Sequence, residues 1–197
     1  MARYTDDPRR LEILFRLADS YRSNAMELDG RLSQQPPPSP AEQNRLRGLR
    51  TEQLQKSLDL FAQVSESFAV ADDHAGERND LETDMVRRAH LYRADCAFQL
   101  GEFEAAIELY DRAARLYSSH SSSMYALVQI VNCYNALKDV DRATAAHHRA
   151  LVRLKQLPDT AFDSPDSLMN RAAWEQWLEN SPVSSPGQTS AARASNG

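Results

Sequence analysis

Apolar residues recur every three or four positions along most of this chain, a spacing typical of helices that bury one side. Leu11, Leu14 and Ala18 show the pattern in the first segment. The spacing predicts an all-α fold. The predicted helices cover about 8–30, 40–68, 81–100, 103–117, 121–137, 140–156 and 166–179.

Prolines interrupt this pattern between the first two helices. Residues 33–40 contain four prolines, which cannot lie inside a helix because proline lacks the backbone donor. Ser39 precedes Pro40 and stands three residues before Glu42, which predicts a capped helix start. Residues 30–50 are therefore predicted to form a proline-tipped helical extension.

The C-terminal region ends in a short apolar segment and a polar tail. Ser164-Pro165-Asp166-Ser167 predicts the start of a capping helix within 164–180. We expect Trp174 and Trp177 to pack onto the preceding helices, with a partner-binding aromatic patch as the alternative. Residues 181–197 contain almost nothing apolar and are predicted to be disordered, and 71–80 to be a polar connector.

One short phrase occurs twice. Segments 106–113 and 143–150 both contain alanine, a ring four positions later and alanine three positions after that, at an offset of 37 residues. Cys96 and Cys133 share this offset. A period of this size predicts a stack of helical hairpins, because one hairpin cannot bury both of its faces.

The repeated phrase resembles the second helix of tetratricopeptide repeats. Segment 87–118 resembles the family through Gly101, Ala106, Tyr110 and Ala113, although His90, Arg93, Ala94 and Phe98 replace its usual first-helix residues. Segment 124–155 resembles it through Leu127, Val131, Tyr134, Val140, Ala143, His147 and Ala150, with Asp139 in place of the turn glycine.

Segment 11–64 resembles a third unit that carries the proline-tipped extension between its helices. The matching residues are Leu14, Leu17, Ala18, Tyr21, Ser57, Phe61 and Val64. The resemblance implies a solenoid of about three hairpins and a capping helix over residues 1–180.

The resemblance also implies a concave groove lined by the first helix of each hairpin. Two polar rows would face this groove. One row is Asp19, Asp95 and Asn132, and the other is Arg22, Gln99 and Asn135. Such rows suit an extended peptide, and the alternative is that they are ordinary solvated surface residues. Leu91 and Val128 replace the cations with which some family members clamp a terminal carboxylate.

Charge and cysteine content exclude several other classes of protein. The net charge of −5 argues against nucleic acid as the main partner. The two cysteines are predicted to be buried free thiols, because neighbouring helices lie too far apart for a disulfide. No catalytic motif, cofactor motif or metal-ligand spacing is present, and His147 is predicted to pack in the core.

We therefore predict a non-enzymatic scaffold that binds another protein or peptide, without a cofactor. The phrase 14–22 resembles bacterial envelope tetratricopeptide proteins that act in assembly and cell division. No apolar run long enough for a membrane span and no signal peptide are evident, which predicts a cytoplasmic protein, or an envelope protein if the chain is a fragment. The alternative is an oligomerisation module that self-associates through 30–50 or through the tryptophan-bearing helix.

Overall fold

Helices account for nearly all of the regular structure. The computed structural model describes residues 8–67, 80–163 and 167–180, and these residues contain no strand, so the all-α prediction is confirmed. The helices are α1 (Pro8–Leu32), α2 (Pro40–Ser67), α3 (Asp80–Leu100), α4 (Phe103–Leu116), α5 (Ser122–Ala136), α6 (Val140–Gln156) and α7 (Arg171–Asn180). A short 3-10 helix, Asp159–Phe162, follows α6.

The proline-tipped extension begins α2 as predicted. The Ser39 hydroxyl accepts a hydrogen bond from the Glu42 backbone N–H at 3.3 Å, and the Ser39 carbonyl accepts from Gln43 at 2.8 Å. Pro40 occupies the first helical position, where its missing N–H costs nothing.

The last helix begins later than predicted. Asn170 caps it, because its side-chain oxygen accepts a hydrogen bond from the Ala173 N–H at 2.8 Å. The capping helix therefore starts at Arg171, and 167–170 are not helical. Residues 164–166, the predicted connector up to residue 79 and the predicted disordered tail 181–197 lie outside the described residues.

The chain divides into two compact units, Met1–Ala105 and Ala106–Gly197. In the first unit α2 packs against both α1 and α3, and α1 also touches α3. The core residues of α1 recur at intervals of seven, which keeps them on one face. The core consists of Leu11, Ala18, Ala25, Leu54, Phe61, Val64, Val86, Ala89 and Cys96.

Three aromatic rings join the helices of the first unit. Phe61 of α2 meets Phe15 of α1 at 5.6 Å and Tyr92 of α3 at 5.5 Å between ring centroids, both edge to face. Such pairs contribute about 0.5–1.5 kcal/mol each beyond the area that they bury. Near the C-terminal ends of α1 and α3, Arg50 Nε of α2 lies 2.5 Å from Asp29 Oδ1, and Arg50 Nη1 donates to the Gln99 carbonyl.

The second unit is built around α5, which buries most of its side chains and leaves one face half-buried. Its enclosed side chains include Met124, Leu127, Val128, Ile130, Val131 and Cys133. Tyr110 of α4 is buried and meets the ring of Tyr125 edge to face at 6.3 Å. Cys96 and Cys133 are both buried thiols that take part in no disulfide, as predicted.

The capping helix α7 packs on α6. Trp174 is buried and Trp177 is half-buried, so the first ring packs as expected. His147 is half-buried and holds Nε2 2.8 Å from the Leu178 carbonyl oxygen. Arg171 ties the start of α7 to the preceding segment through an ion pair with Asp159 at 2.5 Å and a hydrogen bond from Nη1 to the Leu154 carbonyl.

The α3–α4 and α5–α6 turns have the same hydrogen bonds, 37 residues apart. Gly101 N–H donates to the Phe98 carbonyl and Glu102 N–H to the Ala97 carbonyl. In the later turn, Lys138 N–H donates to the Asn135 carbonyl and Asp139 N–H to the Tyr134 carbonyl. These pairs of bonds form a Schellman motif, whose penultimate residue requires a positive φ.

Lys138, not Asp139, stands at the position of the turn glycine. The φ angles are 82° at Gly101 and 60° at Lys138. Asp139 instead caps α6, because its carboxylate accepts a hydrogen bond from the Arg142 N–H at 3.0 Å. The predicted replacement of the glycine by Asp139 was wrong by one residue, because aspartate at that place serves the next helix.

Candidate functional site

In the first unit, α1 and α3 bring three of the predicted groove residues together. Arg22 donates from Nε and Nη2 to Oδ1 of Asp19, at 3.0 and 2.8 Å. The Arg22 guanidinium carbon lies 4.1 Å from the centroid of the Tyr92 ring. Asp95 is close enough for its charge to act on Arg22. We call Asp19, Arg22, Tyr92 and Asp95 the α1–α3 cluster.

Helical spacing places these residues on facing stripes. Phe15, Asp19 and Arg22 follow one another at intervals of four and three on α1, and Tyr92 and Asp95 are three residues apart on α3. Phe15 and Tyr92 fix the alignment of the stripes, because their ring centroids are 6.3 Å apart. The aromatic contact in the core therefore positions the charged residues above it.

The charge of Arg22 is balanced inside the cluster. Burial by itself lowers the pKa of Arg22, but the hydrogen bond and charge of Asp19, together with Tyr92 and Asp95, outweigh burial and raise the pKa. Arg22 is therefore a cation paired with Asp19, and the charge of Asp95 also favours its charged form. The cluster carries one net negative charge, because Asp19 and Asp95 together exceed Arg22 by one.

Part of the cluster is accessible. The Asp19 side chain is 40% exposed, and both of its hydrogen bonds from Arg22 use Oδ1. Met26, one turn beyond Arg22, is exposed, and Arg22 Nη1 lies 3.8 Å from its sulfur. The surface thus offers a carboxylate and, two turns along the same helix, a flexible apolar side chain, a combination that can bind a peptide.

Gln99 is presented less openly than the sequence suggested. It is half-buried, and its side-chain oxygen is enclosed without a hydrogen-bond partner among the described residues. Its backbone carbonyl is already bound by Arg50 at 3.0 Å. Gln99 therefore does not offer an open acceptor in this structure.

The two predicted asparagines belong to the second unit, on α5. The Asn132 side-chain nitrogen donates to Gln129 Oε1 at 3.0 Å, within the same helix. Asn135 is half-buried, and its side-chain oxygen is enclosed without a partner among the described residues. Asn135 therefore does not offer an open acceptor, and Asn132 uses its amide nitrogen within α5.

Sequence reasoning missed Tyr92 and Arg50. Tyr92 supplies the ring under Arg22, and Arg50 joins Asp29 to the last turn of α3. A weak signal for Tyr92 exists, because it lies three residues before Asp95 on the same helical stripe. No comparable signal exists for Arg50, whose partners are 21 residues before it and 49 after it.

Within the described parts of the chain, no three side chains of the metal-binding types gather into a group that could hold an ion. No helix there is long and apolar enough to cross a bilayer. Comparisons of the chain with family models, with curated protein sequences and with solved structures find no significant match.

Proposed function

We propose that this chain is a non-enzymatic helical-repeat module of the tetratricopeptide type that binds a partner protein. The repeated Schellman turn carries the repeat assignment. Turns 97–102 and 134–139 share both hydrogen bonds and the positive φ, although one has glycine and the other lysine at that position. The period of 37 residues is three longer than the family's usual period of about 34.

Burial of the small positions also supports the repeat. In this family small residues let the paired helices approach closely, and the corresponding side chains here are all fully enclosed. They are Ala18, Ser57 and Val64, then Ala94, Ala106 and Ala113, then Val131, Ala143 and Ala150. Larger polar residues at these places would force the helices apart.

The α1–α3 cluster is the proposed contact surface for the partner. It lies on the first helices of two successive hairpins, where the repeat assignment places the groove. Asp19 and Met26 supply an accessible carboxylate and an exposed apolar side chain. Arg22 and Tyr92 hold Asp19 in one orientation, which reduces the entropy that this side chain loses when a partner binds.

We assign no reaction to this surface. Arg22, the cation of this surface, is paired with Asp19. The nearby thiol of Cys96 is buried, and burial raises its pKa to about 11, so it is protonated at neutral pH. The groups on this surface are therefore suited to binding a partner.

The test uses the full chain to capture a partner from the native host, followed by measurement of the dissociation constant with the purified partner. We expect Asp19→Asn with Asp95→Asn to weaken binding at least about tenfold, or about 1.4 kcal/mol. Glu52→Gln is the matched control, because Glu52 is an exposed carboxylate on α2 that pairs with Lys56. Equal binding by the double variant and the control would refute the assignment of this surface.

A further inference from the structure

Helix α1 exposes two large apolar side chains one turn apart. Ile13 is 64% and Leu17 is 44% exposed. Among the exposed large apolar side chains in the described residues, these are the only two spaced one turn apart on the same helix. Tyr21, which is half-buried, extends this apolar ridge by one turn. Single exposed apolar residues are common, but a continuous ridge marks a contact surface.

Opposite charges flank this ridge on one side. Arg16 Nη2 lies 2.5 Å from Glu12 Oε1, and the two side chains are 77% and 38% exposed. An exposed pair of this kind contributes little to the stability of the helix and is easily exchanged for another pair. Glu12 and Arg16 are therefore available to a partner that carries the same two charges in the opposite order.

A second copy of α1 has this order when it lies antiparallel. A two-fold axis midway between positions 14 and 15 brings Ile13 of one copy and Leu17 of the other to within about 1.5 Å of the same height along the helices. The same axis sets Glu12 against Arg16, twice, on the same side of the apolar contact. The surface is thus complementary to itself in both shape and charge, which is the requirement for an isologous dimer.

We propose that two copies of this chain associate through α1, antiparallel about a two-fold axis, with Ile13 and Leu17 at the centre and two exchanged Glu12–Arg16 ion pairs beside them. The α1–α3 cluster remains open in this dimer, because Asp19 and Arg22 lie on the side of α1 that faces α3. A single helix pair is a small interface, so the dimer is weak and concentration-dependent. This association is independent of the proposed partner binding.

Sedimentation equilibrium of the full chain, from micromolar to millimolar concentration, measures the dimer directly. We expect Ile13→Ser with Leu17→Ser to weaken dimerisation at least about tenfold, which corresponds to about 1.4 kcal/mol. Met26→Ser is the matched control, because Met26 is also exposed on α1 but lies on the opposite side from Ile13. A wild-type chain that stays monomeric at millimolar concentration, or an equal effect of Met26→Ser, would overturn the proposal.

Charge reversal tests the antiparallel arrangement. Glu12→Arg alone sets the introduced arginine of one copy against Arg16 of the other, and Arg16→Glu alone sets two glutamates together, so each variant should be monomeric. An equal mixture of the two variants restores opposite charges at both sites, and we expect it to dimerise at the wild-type level. Pairing within one helix cannot produce this recovery. A mixture that remains monomeric would overturn the arrangement.

Discussion

Buried polar atoms in the first unit form a short chain of hydrogen bonds. Ser57 donates from its hydroxyl to the Ala18 carbonyl at 2.9 Å, and the Cys96 thiol donates to Ser57 Oγ at 3.4 Å. Each bond satisfies a polar group that would otherwise cost about 1–3 kcal/mol when buried. Three residues of small volume, one from each helix, thereby let α1, α2 and α3 pack closely.

The Cys96 thiol makes the stability of the chain depend on pH above about 9. Burial raises the pKa of this thiol from 9.0 to about 11, although the Ser57 hydrogen bond opposes the rise. Between these values the unfolded chain loses the thiol proton while the folded chain keeps it, so stability falls as pH rises. We expect Cys96→Ala to show a smaller loss than wild type in urea titrations at pH 9 and pH 11. An identical loss would contradict burial of the thiol.

At the scale of single residues, the candidate site was partly predictable. Asp19 and Arg22 are three positions apart on one predicted helix, so their pairing follows from the sequence. The Tyr92 ring under Arg22 depends on how α1 packs against α3, and local spacing does not report such packing. The enclosed oxygens of Gln99 and Asn135 likewise depend on neighbouring helices, so both were predicted to be more accessible than they are.

At the scale of helices and turns, the two Schellman turns invite a reciprocal experiment. A non-glycine residue at positive φ costs about 1–2 kcal/mol, and glycine costs about 0.5–1 kcal/mol in unfolded-state entropy. We therefore expect Lys138→Gly to stabilise the chain and Gly101→Ala to destabilise it, each by about 0.5–1 kcal/mol in urea denaturation. A steric clash does not contribute to the effect of Gly101→Ala, because a Cβ at Gly101 meets nothing within 4 Å. Changes of the same sign would contradict the equivalence of the turns.

Most helix ends were predictable because local residues determine them. The start of α2 follows from Ser39 and Pro40, and the end of α6 from Pro158 shortly after Gln156. The predicted start of α7 was wrong because several residues before Arg171 can cap a helix. Asn170 caps the helix in the structure, and the adjacent Arg171 binds Asp159 and the Leu154 carbonyl. These contacts join residues that are far apart in the chain, so the local sequence does not reveal them.

At the scale of the whole molecule, the two units each have a buried core. In each core, one buried aromatic ring can be truncated to test the stability of that unit. Phe61 is fully buried in the first unit and Tyr110 in the second. Truncating a buried aromatic ring to alanine costs about 3–5 kcal/mol. Both tryptophans, Trp174 and Trp177, lie in the second unit, so their fluorescence follows that unit while circular dichroism follows every helix.

We expect Tyr110→Ala to shift the fluorescence transition in urea to lower concentration and to split the circular dichroism transition into two steps. The reason is that the core containing Phe61 is unchanged by this substitution. Phe61→Ala should give the opposite result, with an early circular dichroism step and a fluorescence transition close to that of wild type. If both variants instead show one coincident transition by both probes, the two cores unfold as one cooperative body. A loss below about 1 kcal/mol for Tyr110→Ala would contradict the burial of its ring.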